Sequence, residues 1–121
     1  PPCWCIYMLG LVLDWLEEKG GVEGMEAIKH GKARMLYDTI DASRLFTCAV
    51  EKDSRSDMNV VFRTASEELD AKFVKESVDA GFTNLKGHRS VGGMRASIYN
   101  AMPVEGVEKL CDFIRAFDKN N

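Results

Sequence analysis

The chain has 121 residues, 45% of them hydrophobic and 29% charged, and a formal net charge of −3. These values are ordinary for one globular domain with a buried core. Acids and bases are interspersed, so there is no basic stripe to favour nucleic acid or a membrane surface as a partner.

The chain opens Pro1-Pro2-Cys3, without an initiator methionine or the charged lead of a signal peptide, and reads as a segment of a longer protein. Proline suits the first turn of a helix, where its missing N–H would be unpaired anyway. Ile6, Leu9, Leu13 and Leu16 then recur at helical spacing until Gly20-Gly21. Asp14, Glu17 and Glu18 close the apolar run well short of a membrane span. A helix so apolar at its start requires more protein against it than this chain supplies.

Val22 to Ile40 predicts a second helix, with Met25, Ile28, Met35, Leu36 and Ile40 on one side and lysines and glutamate on the rest. Leu45–Val50 and Met58–Arg63 are β-prone and separated by a polar turn, which predicts a hairpin. Ser66 is an N-cap followed by Glu67 and Glu68, with Leu69, Phe73 and Val74 as the buried stripe and Gly81 as the stop. Phe82–Leu85 is a possible short strand, and Lys86–Gly93 is a polar loop. Met94 to Asn100 alternates, with Met94, Ala96 and Ile98 facing one way and Arg95, Ser97 and Tyr99 the other. Pro103 starts a last helix with Val107, Leu110, Ile114 and Phe117 on its apolar face. The expected class is α+β, a two-layer structure with a small, mostly antiparallel sheet and helices packed on one side.

The stretch Lys86-Gly87-His88-Arg89-Ser90-Val91-Gly92-Gly93-Met94-Arg95 sets four cationic or potentially cationic side chains among three glycines. No acid occurs between Asp79 and Glu105. Glycines allow backbone N–H groups to approach a ligand, and an arginine fork fits a carboxylate or phosphate. The composition leaves open either an anion site or a solvated connection. Lys86 has no apolar enclosure that would suit imine chemistry. Arg55-Ser56-Asp57-Met58-Asn59 reads as a turn, and the pairs Glu67/Glu68 and Glu17/Glu18 read as solvated charge. Trp4, Trp15, Tyr7 and Phe73 are expected in a core or an interface. Cys3, Cys5, Cys48 and Cys111 form no CxxC pair, and His30 and His88 are the only histidines, so no zinc site is expected. Cysteines among apolar neighbours suit a reducing compartment.

The run Gly87-His88-Arg89-Ser90-Val91-Gly92-Gly93-Met94-Arg95-Ala96-Ser97-Ile98-Tyr99-Asn100 resembles the C-terminal signature of the phosphoserine aminotransferases, which are fold-type I pyridoxal-phosphate enzymes. Pro1-Pro2-Cys3 with Ile6-Tyr7-Met8-Leu9-Gly10-Leu11-Val12, Arg55-Ser56 with Met58-Asn59-Val60, and Asn100-Ala101-Met102-Pro103 are similar to the same family. The resemblance implies amino transfer between glutamate and 3-phosphohydroxypyruvate in serine biosynthesis. It assigns Arg95 to the substrate α-carboxylate, and His88 and Arg89 to the substrate phosphate across a homodimer. It places pyridoxal 5'-phosphate and its lysine in an upstream domain, so no catalytic or cofactor-binding residue is expected here and the chain alone should be inactive.

Residues 1–20 would then be an interdomain helix and residues 21–121 a C-terminal small domain, in the cytoplasm or, in a plant, a plastid. The partners would be the upstream domain, a second subunit, and phosphoserine and glutamate as substrates. Two other readings are a free-standing anion-binding or regulatory α/β module, and a non-catalytic interaction domain left by cleavage.

Overall fold

Four helices and one pair of strands make up the computed structural model, which describes residues 1–121. In chain order they are α1 (Cys3–Glu18), α2 (Gly21–Asp41), a 3-10 turn (Lys52–Ser54), β1 (Asn59–Phe62), α3 (Glu67–Asp79), β2 (Met94–Ser97) and α4 (Val104–Asn120). The strands are antiparallel, with Asn59 opposite Ser97, Val60 opposite Ala96, Val61 opposite Arg95 and Phe62 opposite Met94.

The sheet is narrower than the sequence pattern predicts. Leu45–Val50 contributes one bridge, Thr47 to Arg63, and the segment before the glycine loop contributes another, Lys86 to Met94. Both are antiparallel, so four chain segments lie in the order Thr47, β1, β2, Lys86. Competing hydrogen bonds shorten the outer two. The Leu45 N–H donates to the Asp118 carboxylate at 2.8 Å, which removes it from a ladder. At the other edge Phe82 N–H donates back to Ser77 at the end of α3, and Asn84 takes a left-handed φ of 60° that breaks extended backbone.

The remaining predicted elements form where their local signals place them. Ser66 caps α3 by accepting from the Leu69 N–H at 3.4 Å, and Gly20 and Gly81 follow α1 and α3 at φ 90°. Ser56 Oγ accepts from the amides of Met58 and Asn59, the turn role read from its position. Met94, Ala96 and Ile98 are buried, whereas Arg95 and Ser97 are half-buried and Tyr99 is exposed.

The core lies between the inner face of this pair and α2, α3 and α4. Phe73 is fully buried and meets the rings of Phe46, Phe62, Phe113 and Phe117 at centroid distances of 5.0 to 5.9 Å. Such tilted and edge-on contacts add to the burial each ring already gains. Helix α1 contributes no buried residue. Trp4 is 71% exposed and Ile6, Tyr7 and Leu9 are each more than half exposed, so Trp4 and Tyr7 lie outside this chain's own core. No helix is long and apolar enough to cross a membrane.

One lysine departs from the sequence reading. Lys32, placed by its charge with the polar side of α2, is 1% exposed. Its Nζ donates to the carbonyls of Tyr99 at 2.8 Å and Met102 at 2.9 Å, with Asn100 at 3.4 Å.

Two outcomes test this packing. Phe73→Ala should lower unfolding free energy by about 3–5 kcal/mol in urea titration, the usual loss for a buried phenylalanine. Burial pushes the Asp118 carboxyl up, but the amides of Arg44 and Leu45 and the Ser43 hydroxyl more than offset it and hold its pKa below the ordinary value. Its stabilisation is therefore present above the ordinary carboxylate range and lost as pH falls through the depressed folded value. Asp118→Asn should flatten the acid limb of a stability-versus-pH curve.

Candidate anion-binding site

The glycine loop is held shut by its own backbone. Gly87 N–H donates to Gly93 O at 2.8 Å, and the amides of Val91 and Gly92 both donate to His88 O at 2.9 Å. Two glycines make this closure possible. A Cβ on Gly87 would collide with the carbonyl oxygen of Gly92, and Gly93, at φ 63°, lies where a Cβ would sit 2.8 Å from Phe62 O. Arg63 adds a latch from β1's end, its Nη2 donating to Val91 O at 2.8 Å.

This closure turns His88 and Arg89 outward, and both are exposed. His88 Nδ1 lies 2.7 Å from Ser90 Oγ and accepts from the Ser90 N–H at 3.3 Å. An amide can only donate, so the neutral ring carries its proton on Nε2, a donor with no partner within the chain. The loop forms one wall of an open groove of about 930 Å³ whose other wall is α3. Arg63, Lys75, Lys86, His88 and Arg89 line it with Glu67, Asp70 and Asp79, and all three acids belong to α3, so the loop wall carries no acid.

Arg95 is absent from the lining of that groove. It projects from the outer face of β2, opposite Val61 and beside Ser97. Ser97 and Tyr99 both donate to Asn59 Oδ1, at 3.1 and 3.3 Å, which ties the polar side of this face together. The structure thus brings His88 and Arg89 together and sets Arg95 apart from them. The buried Nε of Arg95 has no partner. Arg55 shows the contrast: its Nε is also unpaired, but its two Nη atoms grip Asp41 at 2.7 and 2.8 Å over the face of Tyr37. Hydrogen bonding to Arg55 holds the Asp41 carboxyl below its ordinary pKa. Arg55 has a structural partner within the chain, and Arg95 has no carboxylate.

Asn59 and Lys32 were not singled out as site residues by the sequence pattern. Asn59 carried a signal, since it stands on the outward register of β1 facing Ser97.

A family model described as aminotransferase class-V matches residues 1–110. The chain belongs to the class-V aminotransferase family. It is 55% identical over 122 residues to the phosphoserine aminotransferase of Lactococcus lactis subsp. cremoris, covering all of this chain and 33% of that protein. Among solved structures it is similar to phosphoserine aminotransferase from Bacillus circulans subsp. alkalophilus, at TM-score 0.96 and 53% identity over 99% of this chain and 34% of that one. It is also similar to PLP-bound phosphoserine aminotransferase from Trichomonas vaginalis, at TM-score 0.88 and 38% identity over 95% and 33% of the two chains. The chain therefore spans about a third of the length of the relatives it matches.

These residues do not fit covalent attachment of that family's cofactor. Lys32 is the only buried lysine, and its ammonium is committed to main-chain carbonyls. Lys86 is exposed. What this segment of a class-V aminotransferase does offer is donors for anions.

Gly93→Ala tests the loop closure. The variant should lose about 1–3 kcal/mol of stability through the left-handed backbone and the approach to Phe62 O. Faster amide exchange at Gly87, Val91 and Gly92 would register the opened loop.

Proposed function

We propose that this chain is the acid-binding segment of a phosphoserine transaminase, in which an amino group moves between glutamate and 3-phosphohydroxypyruvate. The observation that carries the reading is Arg95, a half-buried arginine on a rigid strand with no acid of its own chain to neutralise it. Its fork would take the α-carboxylate that both amino donor and amino acceptor possess. A strand holds this orientation more closely than a loop, and small displacements at such a clamp reduce rate strongly.

The phosphate of the phosphorylated substrate requires a second set of donors. His88 Nε2–H and the Arg89 guanidinium project from the closed loop and supply it. Their separation from Arg95 is consistent with a homodimer in which each subunit's loop serves the neighbour's site and each Arg95 serves its own. PLP, held by the preceding part of the polypeptide, supplies the electron sink for breaking the substrate's Cα–H bond. The residues described here orient that substrate and balance its charge.

In this reading α1 belongs, with residues 1–20, to the junction with an upstream cofactor domain, and residues 21–121 form the small domain. The exposed apolar side chains of α1 support that division.

The test is made on the full-length, cofactor-loaded protein containing this segment. Arg95→Ala should lower kcat/KM by about 100-fold with either amino donor, the effect of removing a charged hydrogen-bond pair. The double variant His88→Ala/Arg89→Ala should raise KM for the phosphorylated substrate and leave glutamate KM nearly unchanged. Full kcat/KM in Arg95→Ala would sink the assignment.

A further inference from the structure

We propose that Lys32 is a positioning residue for the substrate-facing surface of β2, acting through the turn Tyr99–Met102. The inference rests on the reading that Arg95 clamps the substrate carboxylate.

A lysine at 1% exposure ordinarily has a carboxylate beside it, and this one forms no ion pair. Its partners are three main-chain carbonyls from one short stretch: Tyr99, Asn100 and Met102. An ammonium has three donors, and the turn presents one oxygen to each. A methionine of similar length would fill the space but leave the Asn100 and Met102 oxygens without this donor and Tyr99 O with only the Met102 amide. Lys32 therefore fixes the shape of a turn. Burial lowers its pKa, in keeping with a seat chosen for hydrogen-bond geometry over charge pairing.

The turn is the exit of the strand that carries Arg95. Ile98 N–H donates to Met58 O at 2.9 Å, and Met102 N–H donates to Tyr99 O at 2.9 Å, so strand pairing passes directly into the gripped stretch. Tyr99 also reaches back across the outer face, its hydroxyl on the Asn59 amide oxygen that holds Ser97. At the other end β2 is held by the Arg95 N–H on Leu85 O and by the Gly87 N–H on Gly93 O, each at 2.8 Å. Lys32 anchors the second end to α2, a helix whose Leu36 and Ile40 are fully buried. Without that anchor Tyr99 can swing, Asn59 loses a partner, and the exit of the strand that carries Arg95 is held by its pairing with β1 alone.

The test uses Lys32→Met, Lys32→Gln and Lys32→Ala in the full-length, cofactor-loaded transaminase. Lys32→Met should keep the dimer and its cofactor absorbance, while KM for both glutamate and phosphoserine rises about tenfold. Lys32→Gln retains a donor on a shorter arm and should show the same KM rise if Lys32→Met fails to fold. Adding n-propylammonium to Lys32→Ala should recover part of the lost affinity, because a free cation can enter the carbonyl seat; Arg95→Ala should not respond to it. Amide exchange should accelerate at Ser97 to Met102 ahead of the rest of the chain. Folded variants with unchanged KM, or exchange accelerated uniformly, would overturn the proposal and leave Arg95's role standing if Arg95→Ala is crippled. An unchanged KM in Arg95→Ala would overturn both readings, so the two failures are distinguishable.

Discussion

Six phenylalanines, all that the chain contains, meet ring to ring in one connected cluster. Phe46 comes from the segment before β1, Phe62 from β1, Phe73 from α3, Phe82 from the stretch after it, and Phe113 and Phe117 from α4. The cluster fixes which side of the strand pair is interior, and the two-residue period of a strand then leaves no choice for its other side. Because Phe62, Met94, Ala96 and Ile98 must face the rings, Asn59, Arg95, Ser97 and Tyr99 must face away. The polar surface from which Arg95 projects is a geometric consequence of aromatic packing elsewhere.

Three buried or half-buried cations show how differently one protein can accommodate charge. Arg55 is neutralised by Asp41 and covered by an aromatic ring. Lys32 has no counter-charge and is held by main-chain oxygens. Arg95 has neither within the chain. An unpartnered charge is tolerable only where water or a ligand reaches it. The same residue chemistry is thus a staple in one place, a turn-former in the second and an unpaired donor in the third.

The helices and the facing of β2 were legible in the sequence because they rest on local rules: Ser66 as a cap, Gly20 and Gly81 as stops, and the alternation from Met94 to Tyr99. The outer strands were not, because their fate depends on distant partners. Leu45 looks β-prone, yet its amide belongs to Asp118 on α4. Phe82 looks the same, yet its amide completes α3. The glycine loop was legible as composition, but its closure and the outward set of His88 depend on contacts no spacing reveals. Lys32 is the instructive case. Its spacing from Met25, Ile28, Leu36 and Ile40 places it on the apolar stripe of α2, and only its charge argued otherwise. Periodicity was the better guide, because the chain brings three carbonyls to meet that charge.

The closed ring from Gly87 to Gly93 also bears on how this segment can vary. Arg89, Ser90 and Val91 are exposed, so their side chains can be exchanged without disturbing a packed neighbour. The length of the ring has no such freedom. One extra residue would break the Gly87–Gly93 hydrogen bond, or shift β2 by one position and turn Arg95 into the phenylalanine core. The loop is tunable in chemistry and fixed in size. Variants that alter its surface chemistry should therefore arise by substitution, while insertions and deletions accumulate elsewhere on the surface.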